Sequence, residues 1–92
     1  MKRTDIIQSL IDKVGAENYL EVGVSAGENF RDIKCKNKVG VDPEPSTPAT
    51  IHTDSDSFFK DNKRTFDVIF IDGLHHADQV YRDINNSLKV LS

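Results

Sequence analysis

Apolar and polar positions change their rhythm along this chain, and the changes mark out elements. Ile6, Ile7, Leu10, Ile11 and Val14 recur at helical spacing. Thr4 stands before them as a capping residue and Gly15 after them as a stop. Residues 18–24 then read as a strand, and 28 to about 35 as a second helix with Phe30 and Ile33 inward. A second strand covers 39–42. Residues 42–48 hold all three prolines of the chain, which removes donors and fixes the backbone, so a surface loop is expected there. A short third strand follows at 49–53. Asp54-Ser55-Asp56-Ser57 offers several caps for a helix that carries Phe58 and Phe59. Residues 66–71 form the fourth strand. Its Val68-Ile69-Phe70-Ile71 run is apolar throughout, which suits a parallel strand covered on both faces. The last helix spans about 75–90, with Ala77, Val80, Tyr81, Ile84, Leu88 and Leu91 as its buried stripe. Helix and strand alternate throughout, which predicts an α/β fold with a parallel sheet and right-handed crossovers.

Composition narrows the class. Residues 1–92 make one small domain. Twelve basic residues stand against 15 acidic ones, a net charge of −3. Phosphate neutralisation needs a basic face, so nucleic acid is not expected as a partner. Lys34, Lys36 and Lys38 read as a solvated helix end, where cations suit the dipole. The single cysteine, Cys35, excludes an internal disulfide and fits a reducing compartment. No apolar run has the length of a membrane span, and no signal-peptide core is visible. A cytoplasmic protein without membrane contact is the expectation.

The chemistry lies at the strand ends. Glu21-Val22-Gly23-Val24-Ser25-Ala26-Gly27 joins the first strand to the second helix. Glycines there let the chain turn tightly and let a ligand approach the main chain. A helix N-terminus beyond them offers unpaired N–H groups. Acids close the other strands: Asp42 after the second, Asp54 and Asp56 after the third, Asp72 after the fourth. In a parallel sheet those ends line the ligand crevice. Any one of these acids is more often a cap or a turn residue; the set in register is the signal. A dinucleotide site wants G-x-G-x-x-G, and this loop is G-x-x-x-G, without the glycine that admits a pyrophosphate. Acids around the crevice suit a cationic cofactor that bears hydroxyls, and S-adenosylmethionine has that chemistry.

Together these segments resemble the Rossmann-like S-adenosylmethionine-dependent methyltransferases. Residues 19–27 resemble the family's first motif and 39–42 its second; 54–59 resemble the segment after its third strand. Residues 66–76, with 80–84, resemble the fourth-strand signature of a subgroup rich in small-molecule O-methyltransferases. The resemblance implies a three-layer sandwich with strand order 3-2-1-4. It also implies roles: Gly23 and Gly27 around the methionine portion, Glu21 near its ammonium, Asp42 on the ribose diol, Asp54 and Ser55 facing the adenine. Asp72 would sit where sulfonium and acceptor meet. His75 and His76 have two readings, helix-start packing with solvation, or a catalytic base or metal ligand with Asp72. Some family members hold a divalent cation at the acid after the fourth strand, Asp72 here, with acids from later strands that this chain does not have.

The resemblance ends at Ser92, where the family continues into three more strands. The chain therefore reads as the cofactor-binding, N-terminal half of a methyltransferase domain, acting on a small-molecule acceptor and expected to be poor or inactive alone. A non-catalytic adenosyl-ligand-binding module is the alternative, and a nicotinamide-dinucleotide-binding dehydrogenase domain the third reading. With order 3-2-1-4 one edge of the fourth strand is open and carries neither proline nor lysine, and part of the stripe of the last helix is left uncovered. A homodimer through it, antiparallel about a two-fold axis, is the assembly that this suggests.

Overall fold

The computed structural model of the chain describes residues 2–72 and 77–92. Along them run α1 (Arg3–Val14), β1 (Asn18–Val22), α2 (Glu28–Asp32), β2 (Asn37–Val41), α3 (Ser55–Asp61), β3 (Val68–Ile71) and α4 (Ala77–Val90). The strands form one parallel sheet in the order β2-β1-β3. Leu20 of β1 lies opposite Val39 on one side and Ile69 on the other.

Central β1 has Tyr19, Leu20, Glu21 and Val22 all buried. Successive side chains point to opposite faces. Tyr19, with Val24, packs against Ile7 and Ile11 of α1 and Phe30 of α2. Leu20 and Val22 pack with Phe58 of α3 and with Phe66. The sheet is therefore the middle of a three-layer α/β sandwich, as expected. A side chain at Gly40 would meet Val24 and Phe30, so the bare backbone there lets α2 lie close on β2.

The expected third strand is reduced to one parallel bridge, Val41 to Ile51. Its place beside β2 is the predicted one. Ile51 is the lone apolar residue between Thr50 and His52, and it stays 38% exposed. Gly40 N–H turns to the Thr50 hydroxyl at 3.3 Å, so a side chain takes a donor that a full ladder would pair with main chain. The predicted fourth strand is β3, shortened to Val68–Ile71. Phe66, its predicted first residue, bridges outward to Leu91 through Phe66 N–H to Val90 O and Ser92 N–H to Phe66 O, both 2.8 Å. The outer edge of this strand is thus covered at its start and lacks a neighbouring strand along β3 among the described residues.

Three helix expectations shift. α1 starts at Arg3, so Thr4 lies inside it; Asp5 closes the turn by accepting from Lys2 N–H at 3.1 Å. α2 stops at Asp32 rather than near 35. There the Lys38 ammonium reaches back to the carbonyls of Phe30 at 2.7 Å and Ile33 at 3.1 Å, a cation satisfying the helix end. The third shift is a rotation. Tyr81, Ile84, Leu88 and Leu91, expected inside, are 65, 48, 63 and 46% exposed. Asp83 and Ser87 are buried instead, on the side of α4 that meets α3 and β3.

Candidate functional site

The site is built on the end of β1. Glu21 shares a sheet face with Tyr19 and lies under the turn into α2, which leaves it 1% exposed. A buried carboxylate needs donors. Tyr19 Oη donates to Glu21 Oε1 at 2.7 Å and Asn29 Nδ2 donates to the same oxygen at 2.7 Å. Thr4 Oγ1 in turn donates to Asn29 Oδ1 at 2.7 Å, which ties α1 to α2 above the strand. Burial raises the Glu21 pKa above the usual carboxylate range, and the hydrogen bonds from Tyr19 and Asn29 only partly offset it. Tyr19 is also raised, by burial first and by the Glu21 charge second.

Beyond Glu21 the chain enters the left-handed region three times, at Gly23 (φ 86°), Ser25 (φ 56°) and Gly27 (φ 84°). Gly27 has a second reason to be glycine: a side chain there would run into the Pro48 ring. Ser25 is not glycine and is held in place from β2. Its N–H donates to Asp42 Oδ2 at 2.9 Å, while Asp42 Oδ1 accepts Glu44 N–H at 3.0 Å.

Two hollows flank this loop. One, of about 240 Å³, is lined by Arg3, Glu21, residues 24–29 and Asp72. The other, of about 190 Å³, is lined by Val22, Gly23, Val41, Pro43, Asp54, Ser55 and Gln79. Arg3 Nη1 stands 3.6 Å from Asp72 Oδ1, and its guanidinium carbon lies 5.8 Å from the centre of the Phe70 ring.

Residues 25–92, about three quarters of the chain, match the model of a family described as a methyltransferase domain. The chain belongs to that methyltransferase family. No curated protein and no solved structure matches it. The methyltransferase match opens inside the loop, so Arg3, Glu21 and Gly23 lie ahead of it. No helix among the described residues is long and apolar enough to cross a membrane.

The site residues named from sequence fall into three groups. Glu21, Gly27 and Asp72 line the first hollow; Gly23, Asp54 and Ser55 line the second. Asp42 lines neither and braces the loop between them. Asp54 also has a helix to cap, accepting Ser57 N–H at 2.8 Å and Ser57 Oγ at 2.9 Å. Ser55 Oγ donates to Asp83 Oδ1 at 2.6 Å and accepts from Gln79 Nε2 at 2.9 Å. His75 and His76 lie outside the described residues. The divalent cation considered at Asp72 finds no support: no three metal-ligating side chains converge among the described residues, and Asp72 faces Arg3. Sequence reasoning missed Arg3, Tyr19, Asn29 and Gln79. Only Tyr19 carried a signal, two positions before Glu21 and hence on the same face of a strand.

Proposed function

We propose that this methyltransferase chain takes its methyl group from S-adenosylmethionine, bound across the two hollows, and passes it to a small molecule. The observation that carries the reading is the buried Glu21 carboxyl group beside the left-handed loop, a preorganised acceptor at the floor of a small hollow. Such a group suits an ammonium. The residues present fit the rest of the cofactor. Each Asp42 oxygen accepts one main-chain bond and has a lone pair left for a ribose hydroxyl. The apolar walls of the second hollow, Val22, Val41 and Pro43, suit the faces of an adenine, with Asp54 and Ser55 at its polar edge.

When bound, S-adenosylmethionine supplies a methyl group activated by a sulfonium. The chain's part is to hold and orient. Glu21 anchors one end, Asp42 the middle, and the left-handed backbone removes side chains from the path between them. Asp72, at the end of β3, places a carboxylate at the mouth of the first hollow, where it favours positive charge and can take an acceptor's proton. His75, three residues on, is proposed as its partner. Cytoplasmic residence and a homodimer along the outer edge of β3 belong to the same proposal. The exposed Ile84, Leu88 and Leu91, which line a hollow together with Ile69 and Ile71 of β3, support the dimer.

Titration calorimetry with S-adenosylmethionine, S-adenosylhomocysteine and NAD tests the reading. The two adenosyl ligands are expected to bind and NAD to bind more weakly or not at all. Tighter binding of NAD would overturn the cofactor assignment.

A further inference from the structure

An amino-acid end of a ligand is a zwitterion, so it needs a cationic partner as well as an anionic one. The first hollow is lined by three acids, Glu21, Glu28 and Asp72, and by a single basic side chain, Arg3. The main chain of the loop is partly committed, which leaves the first-turn N–H groups of α2 among its remaining donors. The N–H groups of Gly23, Ser25 and Gly27 are already given to Val41 O at 2.8 Å, Asp42 Oδ2 at 2.9 Å and Val24 O at 3.0 Å. α2 has only five residues, which leaves little dipole to draw on.

We propose that Arg3 is the positioning residue for the α-carboxylate of the adenosyl ligand, so that the first turn of α1 reads the amino-acid end. The inference rests on the cofactor reading above and deepens it. Arg3 begins α1, whose Thr4 hydrogen-bonds Asn29 and so places the helix end beside the Glu21 network. The Arg3 side chain is 65% exposed, on the rim rather than in the core. Its Nη1 faces Asp72, and no other acceptor among the described residues engages its guanidinium. A guanidinium has five N–H donors in a planar fork, enough to keep Asp72 on one side and take a carboxylate on the other. Ammonium to Glu21 and carboxylate to Arg3 would seat the zwitterion across the hollow. The family match begins at residue 25, so nothing in it assigns this position.

The test compares three ligands that differ at one end: S-adenosylhomocysteine, its decarboxylated amine analogue, and methylthioadenosine, which lacks the amino-acid end. The parent chain is expected to bind S-adenosylhomocysteine about tenfold more tightly than the decarboxylated analogue, the scale of a charge-assisted hydrogen bond. Arg3→Gln should collapse that ratio to about one and leave methylthioadenosine affinity unchanged. Asp72→Asn removes the ion pair but keeps the guanidinium, and should preserve the ratio. The assignment is overturned if Arg3→Gln retains the ratio. It is equally overturned if Arg3→Gln weakens all three ligands alike, or if Asp72→Asn abolishes the ratio too, since both outcomes describe a structural ion pair. A parent chain that binds none of the three defeats the cofactor reading itself, and the Arg3 role with it.

Discussion

In the layer of α1 and α2 the buried polar groups close into a circuit: Thr4 donates to Asn29, and Asn29 and Tyr19 donate to Glu21. In the layer of α3 and α4 the circuit is left open. Asp83 Oδ1 accepts from Ser55 and Gln79, but Asp83 Oδ2 and Ser87 Oγ are buried with no partner among the described residues. Meanwhile the apolar stripe of α4 faces outward. Both layers bury an acid, so burial alone does not mark a site. The first acid lies beside a hollow with its donors aimed at one oxygen; the second serves to orient Ser55 at the start of α3. The difference lies in what the hydrogen bonds leave available.

Four measurements break or sharpen this contrast. The largest effect is expected at Asn29. Asn29→Ala leaves Glu21 short of a donor and Thr4 without its acceptor, and should cost about 2–3 kcal/mol in chemical denaturation, the scale for stranding a buried charged partner. Asp83→Ala should cost about 1 kcal/mol or less by the same measurement, because it also removes an unsatisfied oxygen. Equal losses would erase the distinction between the layers.

Next comes Asp42→Ala, which frees the Ser25 turn and removes the proposed ribose acceptor. Binding of S-adenosylhomocysteine should weaken by about 1–3 kcal/mol in calorimetry. An unchanged affinity would remove Asp42 from the site.

The third is a pH dependence. Glu21 is raised from its ordinary value of 4.5 by burial, so over the window above that value the folded state holds a proton that the unfolded state has lost. Its contribution to stability is full below the unfolded pKa and is lost as pH rises through the folded one. Asp67 has the opposite sign. Its carboxylate is depressed by the Ser92 hydroxyl and by the Glu17 and Asn18 N–H groups, so its contribution fades only as pH falls below its ordinary 3.8. Denaturation midpoints followed upward from about pH 4.5 should therefore decline in the parent chain and flatten in Glu21→Gln. A parent curve with the same slope as the variant would mean that Glu21 is not the group titrating.

The smallest effect on stability is expected on the outward stripe. Leu88→Glu should change folding free energy by no more than about 0.5 kcal/mol, as for an ordinary surface position. In sedimentation it should nonetheless shift any dimer toward monomer. Val68 is no use for this test: it is 6% exposed and part of the core, so a charge there would unfold the chain.

Much of this architecture was legible in the residues. The alternation of elements, the parallel sheet and a helix start among residues 54–57 follow from local patterns that the packing does not override, and the central place of the first strand from the family resemblance. The α4 stripe is uncovered, as the open edge implied for part of it; periodicity identifies an apolar face without saying whether anything covers it. Asp83 and Ser87 lie on the face that meets α3, where Gln79 and Ser55 give Asp83 partners that no spacing rule anticipates. The third strand failed for a local reason, one apolar residue among polar ones after a proline-rich loop. Within the site, the glycines and strand-end acids were visible as motifs. Asn29 and Arg3 were not, since only the fold brings each to the hollow beside Glu21.

Asp67 ties down two distant parts of the chain at once, accepting from Glu17 N–H at 2.9 Å, Asn18 N–H at 3.0 Å and Ser92 Oγ at 2.6 Å. Its contact with Asn18 spans 49 residues, whereas Asn37 and Asn18 across β1 and β2 are 19 apart. Closing the longer loop costs about 0.8 kcal/mol more chain entropy. On that basis β1 and β2 should associate first and β3 dock last, bringing Asp72 with it. Pulse-labelled hydrogen exchange should then protect the β2 amides before those of β3; the reverse order would refute the sequence of events. The hollow that holds Glu21 would be completed only at the final step of folding, so ligand capture would report on the finished molecule and on no earlier intermediate.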